Sequence, residues 1–170
     1  AQALPELAHA VHVEVPGLAP DRVYFYRFMS GDAVSPVGRT RTLPAPDAPT
    51  QRLRLAHASC QRWEHGFYSA WRHMRADAPD FVLFLGDYIY EYATPKTTTD
   101  LARTHSLRHA TTLADYRDRY ALHKSDPALQ LAHATCPWAV TWDDHEVQND
   151  YAADAGRGEA AGSTAFLAQR

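Results

Sequence analysis

Phe81-Val82-Leu83-Phe84-Leu85 runs directly into Gly86-Asp87-Tyr88-Ile89-Tyr90-Glu91. The first five residues form a short, continuous apolar run, which predicts a strand buried on both faces. Gly-Asp then ends the run in a turn and delivers a carboxylate at once. The same arrangement recurs on either side. Leu53–His57 reads as a strand and leads to Ser59-Cys60-Gln61; Trp138–Trp142 reads as a strand and leads to Asp143-Asp144-His145-Glu146. Helical patterns lie between them. Phe67, Ala70, Trp71 and Met74 fall at i, i+3, i+4 and i+7, predicting a helix from Gly66 to Arg75. Leu113–Lys124 predicts a second, and Asp126-Pro127 supplies an N-cap and an N1 proline for a third over 127–133. Strands alternating with helices place residues 52–170 in the α/β class.

In an open α/β sheet, ligands bind outside the carboxyl ends of the strands. Right-handed crossovers between parallel strands bring all three ends to one edge. That edge collects the Cys60 thiol, several carboxylates, the Tyr90 phenol and the His145 imidazole. Carboxylates gathered on a partly dry edge repel each other unless a cation or strong donors compensate. No Lys or Arg directly follows a strand end, so the economical solution is a metal ion, or two or more with Asp87 as bridge. Tyr90, three residues after Asp87, can reach the same ion across a turn. A phenol and a thiol are unusual ligands for Mg²⁺ or Ca²⁺; together they point to a transition metal, with iron fitting. A trivalent ion would hold the phenol deprotonated near neutral pH. Each element also has a structural reading: Gly86-Asp87 as a plain turn, Cys60 as a small buried hydrophobe, Asp143 as a helix N-cap, and Tyr88, Tyr90 and Tyr92 as one aromatic face. Three such sites at successive strand ends favour the metal reading. The remaining histidines lack a metal-binding spacing such as His-Glu-x-x-His.

The flanks are different in character. Residues 1–43 read as β: Val11, Val13 and Val15 alternate with polar residues, Val23–Phe28 is β-branched and aromatic, and Val37–Thr42 gives a third strand after a Ser30-Gly31-Asp32 turn. Three strands leave many open edges, which suggests missing partner strands. Residues 44–51, opening on Pro44-Ala45-Pro46-Asp47-Ala48-Pro49, read as a stiff, extended linker. Residues 93–111 are a Thr-rich surface excursion, 152–163 a Gly-rich loop, and Ser163 caps a helix running to Arg170.

Composition narrows the function. The 170 residues are 45% hydrophobic and 22% charged, with 17 Lys+Arg against 20 Asp+Glu, as in globular domains. A net charge of −3 disfavours nucleic-acid-specific binding. No apolar run approaches the ~20 residues of a membrane helix, and no signal-peptide pattern opens the chain. If the strands beside Cys60 and Cys136 are parallel neighbours, the two thiols lie at opposite strand ends, about 16 Å apart along the strand direction, against the roughly 7 Å a disulfide tolerates; both are expected to be free thiols.

The sequence resembles the PhoD-like alkaline phosphatases (phosphodiesterase D) of the calcineurin-like metallophosphoesterase superfamily, related to purple acid phosphatases. The resemblance rests on Val15-Pro16-Gly17-Leu18-Ala19-Pro20 with Tyr24–Phe28 and Val37–Thr42, on Ala58-Ser59-Cys60-Gln61, on Phe84–Tyr92, and on Thr141–Tyr151. It implies a partial fibronectin-like β domain over 1–43. It implies the N-terminal part of a metallophosphoesterase-type sheet sandwich over 52–170. Asp87 would bridge two metals, Tyr90 would be a tyrosinate ligand to Fe³⁺, and Cys60 would take a second iron-ligand place. Asp144 would bind the other metal, Ca²⁺ or another divalent ion, and His145 would be the catalytic histidine. Asp143 and Asn149 are further candidates beside the metals. The implied reaction is hydrolysis of phosphate mono- or diesters by a metal-bound hydroxide, His145 protonating the leaving group, in a periplasmic, cell-surface or secreted protein. Histidine ligands that the superfamily draws from later strands are not in this sequence, so the isolated fragment is expected to be inactive. Two other readings stand beside this one: a carbohydrate- or protein-binding module using Tyr24, Tyr26, Trp63 and Trp71, and a hydrolase with Cys60 as nucleophile, for which His57 on the same strand is badly placed.

Overall fold

A computed structural model describes residues 1–97, 99–158, 162–164 and 166. Two antiparallel ribbons come first. Strand β1 (Val23–Tyr26) pairs with β4 (Gly38–Arg41), and between them β2 (Met29–Ser30) and β3 (Ala33–Val34) form a small hairpin around Gly31. The Tyr26 ring lies over Gly38, where any Cβ would sit 2.3 Å from it. The expected strand over Val11–Val15 does not form: these residues are extended without a partner among the described residues, and Val13 and Val15 stay exposed. Alternation alone does not make a strand; hydrogen-bond partners do. The linker is not extended throughout either. Pro46-Asp47 takes the centre of a turn closed by the Ala48 N–H on the Ala45 carbonyl, the position proline's fixed φ favours.

The α/β part follows. Strands β5 (Leu55–Ala58), β6 (Phe81–Leu85) and β7 (Trp138–Thr141) form a parallel sheet in the order β5-β6-β7. Helices α1 (Ser69–Ala76), α2 (Leu113–Lys124) and α3 (Pro127–His133) supply the connections. Both α2 and α3 begin where the sequence places them. Thr112 and Asp115 form a reciprocal cap on α2, and the Asp126 carboxylate accepts the Ala128 and Leu129 N–H groups on α3. Helix α1 starts later than Gly66, because residues 63–65 form a 3-10 turn and Gly66 is extended; Phe67 lies outside the helix and is exposed. The core lies on one side of the sheet, where Val82 and Phe84 meet Trp71, Tyr116, Leu129 and Ala132. On the other side Leu55 and Leu85 are half exposed, at 52% and 50%. The expectation that β6 is buried on both faces therefore fails: on the second face Phe81 and Leu83 are only partly covered and Leu85 is exposed.

Residues 93–111 contain no helix or strand among those described, yet they are strapped down. The Arg103 guanidinium lies 3.4 Å from the Trp63 ring centroid and pairs with Asp126 at 2.6 Å. His105 bonds Glu64 and Arg119, and Ala110 is fully buried. The β ribbons dock on the α/β part through the Arg39 N–H on the Ala134 carbonyl and through Arg41, which bridges Asp21 and Asp80. Cys60 and Cys136 are both free. The helix expected to end at Arg170 lies mostly outside the described residues.

Two outcomes follow from this packing. Phe84→Ala empties the centre of the core, where the ring is 1% exposed; it should cost about 3–5 kcal/mol in chemical denaturation. Acid should weaken the fold well before carboxylates dominate. Burial lowers His123 from the usual 6.5 to about 4, its bond to the Arg119 carbonyl opposing only in part, and burial beside Lys124 lowers His133 to about 3. The unfolded chain takes up these protons first, so the stability held above pH 6.5 declines as pH falls toward 4. Glu64 extends the trend. Burial raises it, but His105, its own N–H and Arg62 together bring it to about 2, so its contribution is lost between 4.5 and 2. A urea midpoint that does not move between pH 7 and 4, or moves equally in His123→Phe, contradicts this.

Candidate metal centre

The loops after the strands continue the sheet's contact beyond its end. The Cys60 N–H donates to the Gly86 carbonyl and the Gln61 N–H to the Asp87 carbonyl, both at 3.1 Å. Gln61, buried, also reaches the Tyr88 carbonyl at 3.2 Å and accepts the Trp71 indole N–H at 3.0 Å. Cys60, Gly86 and Asp87 all have positive φ, at 59°, 96° and 53°. Such a conformation costs a non-glycine residue on the order of 1–3 kcal/mol and concentrates at functional sites. Gly86 has a second reason to be glycine: a Cβ there would lie 2.4 Å from the Asp143 Cβ.

Glu146 ties the second loop to the third. Its buried carboxylate accepts the N–H groups of Tyr88 at 2.6 Å, Asp87 at 3.0 Å and Asp143 at 2.8 Å. Asp143 in turn accepts from the Asp144 N–H at 3.0 Å, and the two acids form a reciprocal cap on the 3-10 turn Asp144–Glu146. Burial raises the Glu146 carboxyl, and the N–H groups of Asp143, Asp87 and Tyr88, with that of Ile89, oppose the rise.

Asp87, Asp144 and His145 come together here, each offering a ligand atom within 4.8 Å of the others. Asp144 also accepts the Asp150 N–H at 2.5 Å. Tyr90 donates its hydroxyl to Asp87 Oδ2 at 3.1 Å. The phenol is pushed above its ordinary range, first by burial, then by the charges of Asp87 and Cys60, whose thiol also hydrogen-bonds it. Without a cation, then, the phenol keeps its proton. The second Asp87 oxygen, Oδ1, is buried and has no hydrogen-bond partner among the described residues. A buried carboxylate oxygen left bare costs desolvation energy that nothing in the chain returns. A cation beside it removes that cost, so the donor set fits a metal: Asp87 gathers with Asp144 and His145, and the Tyr90 phenol, which bonds Asp87 and the Cys60 thiol, lies beside them. Arg62 lies 5.8 Å and 5.6 Å from the Tyr90 and Tyr92 ring centroids, but pairs with Glu64 at 3.3 Å.

Of the five residues singled out from the sequence, Asp87, Asp144 and His145 bring ligand atoms together and Tyr90 bonds Asp87, while the Cys60 thiol lies against the Tyr90 phenol and outside that three-residue group. Asp143 is exposed and serves as the N-cap; Asn149 donates its side-chain amide to Asp150 at 2.8 Å. Two residues of equal weight escaped the sequence reading. Glu146 stands three residues after Asp143, the spacing of a capping box, and that signal was available. Glu91 is a lone acid in an aromatic stretch. It is 1% exposed, accepts the His145 Nδ1–H at 2.7 Å and the Asn149 N–H at 3.0 Å. Glu146→Gln places an amide donor among backbone donors; it should destabilise by about 1–3 kcal/mol and speed exchange of the Tyr88 amide more than that of Val82. Unchanged Tyr88 protection would show that the clamp does not hold the loop.

Known proteins resemble this chain in sequence and fold. The chain matches the family model for PhoD-like phosphatase over residues 55–170 and that for the PhoD-like phosphatase N-terminal domain over residues 1–44. It is 53% identical over 152 residues to alkaline phosphatase D of Bacillus subtilis (strain 168), covering 88% of this chain and 26% of that protein. A solved structure, described as the structure of PhoD, superposes with a TM-score of 0.90 at 49% identity, covering 97% of this chain and 32% of that one. The chain thus spans only part of the length of each relative. With a family model matched across the whole α/β part, the chain belongs to the PhoD-like phosphatase family.

Proposed function

We propose that this chain carries part of the centre of a metal-dependent hydrolase of phosphate monoesters or diesters. The observation that carries this reading is the bare, buried Asp87 Oδ1 beside Asp144 and His145. Asp87 would be shared by two metals. Tyr90 and Cys60 would hold Fe³⁺, for which phenolate and thiolate are suitable donors, and Asp144 would hold Ca²⁺ or another divalent ion. Bound cations supply Lewis-acid polarisation of the phosphoryl group and lower the pKa of water. The chain's own residues orient and protonate. His145 donates a proton to the departing oxygen, an effect typically worth about 10²–10⁴-fold. The rings of Tyr90 and Tyr92, with centroids 4.2 Å and 5.3 Å from that of the imidazole, limit its freedom to turn.

The half-exposed sheet face at Leu55 and Leu85 supports a sandwich in which further chain packs a second layer there and brings further ligands. On this reading the residues in hand are not sufficient for turnover alone. Residues 1–43 are proposed as a fibronectin-like module, 44–51 as its linker and 52–170 as the first part of the catalytic domain. Action outside the cytoplasm is proposed on the family resemblance. No observation favours the carbohydrate- or protein-binding alternative.

In the complete protein, Asp87→Asn should abolish stoichiometric metal and turnover together, while His145→Ala should lower turnover by about 10²-fold or more with metal content largely kept. Elemental analysis alongside phosphate release reads both. Full activity in Asp87→Asn would refute the assignment.

A further inference from the structure

Arg62 follows Cys60 and Gln61 out of the first strand end and lies beside the site. Its guanidinium is 5.8 Å and 5.6 Å from the ring centroids of Tyr90 and Tyr92. The same two rings flank His145, at 4.2 Å and 5.3 Å. Only one corner of this guanidinium is used. Nε donates to Glu64 Oε2 at 3.3 Å, a long bond to a carboxylate that His105 and Thr94 share. Among the described residues nothing accepts from Nη1 or Nη2, although the side chain is only 20% exposed. Other arginines of the fold spend at least one of theirs: Arg41 on Asp80 and Arg103 on Asp126, both at 2.6 Å, and Arg119 on His105 and the Arg108 carbonyl, both at 2.7 Å. Arg157, whose charge also acts on Tyr92, is 65% exposed and leans on Asp150 at 3.5 Å. A planar fork set against aromatic rings, with both tips open beside the site, is preorganised for an oxyanion.

We propose that Arg62 is a substrate-binding residue of this site: its two free Nη groups take non-bridging oxygens of the phosphoryl group and favour the ester that carries more negative charge. The proposal rests on the hydrolase reading and deepens it. A phosphate monoester presents three non-bridging oxygens and up to two negative charges; a diester presents two such oxygens and a single charge. Bonds from a guanidinium strengthen when the acceptor is ionised, so the contact separates the two classes of ester. The Tyr90 and Tyr92 rings hold the fork in place, and Glu64 restrains it through Nε alone, so the tips reach a ligand without breaking another bond.

The experiment uses the complete, metal-loaded protein with para-nitrophenyl phosphate and bis-para-nitrophenyl phosphate, a monoester and a diester that share one leaving group. Arg62→Gln should raise KM for the monoester about tenfold or more and for the diester clearly less. Metal content should be kept, and kcat should fall less than kcat/KM. The inhibition constant of inorganic phosphate should rise by the same factor as the monoester KM. Arg62→Lys, which keeps the charge and loses the fork, should recover part of the affinity. Equal changes for both esters, or an inhibition constant for phosphate that does not move, would overturn the proposal while leaving the hydrolase reading intact. An unsubstituted protein that hydrolyses neither ester would overturn that reading itself. A measurement free of folding defects uses the unsubstituted protein and phenylglyoxal, which modifies guanidinium groups, with peptide mapping by mass spectrometry. Inorganic phosphate should shield Arg62 and leave modification of Arg157 unchanged. Equal modification of Arg62 with and without phosphate overturns the proposal.

Discussion

One carboxylate holds the site's backbone in place. Glu146 receives N–H groups from the loop after β6 and from the start of the loop after β7. Those groups would otherwise be orphan donors in a buried place, and each unmet donor is costly. Once they converge on Glu146, the Asp87 side chain is released from capping duties and aims elsewhere, which is how its Oδ1 comes to be bare. The clamp therefore separates two tasks that neighbouring acids could confuse: Glu146 and Asp143 satisfy the chain, while Asp87 and Asp144 remain available.

The electrostatics are one-sided. Acids crowd the strand ends, and the Arg62 guanidinium is engaged by Glu64 and lies over aromatic rings. Hydrogen-bond donors offset part of the repulsion, but the phenol of Tyr90 is still driven to keep its proton. The arrangement is strained by local charge, and a cation relieves every part of the strain at once.

Much of this was legible in the order of residues. The strands at Leu55, Phe81 and Trp138, the caps at Thr112 and Asp126, and the meeting of Asp87 with Tyr90, Asp144 and His145 follow from local pattern plus the rule that parallel strands end on one edge; Cys60, on the same edge, lies outside the Asp87–Asp144–His145 group. What escaped depends on partners far away in the chain. Val11–Val15 alternates as a strand would but finds no strand partner among the described residues, and β6 is apolar on both faces while one face is only partly covered. Helix α1 loses its expected first turn because Gly66 is extended. Glu91 was invisible for the same reason: its meaning lies in an imidazole 54 positions away.

Gly86 bears on how such a site tolerates change. The space its absent side chain would fill is occupied by Asp143, so two loops from separate strands touch through a hydrogen atom. The width of the mouth is thus gauged by the smallest spacer a protein possesses. A single methyl group at this position would part the loops while leaving the side chains of Asp87, Asp144 and His145 chemically unaltered.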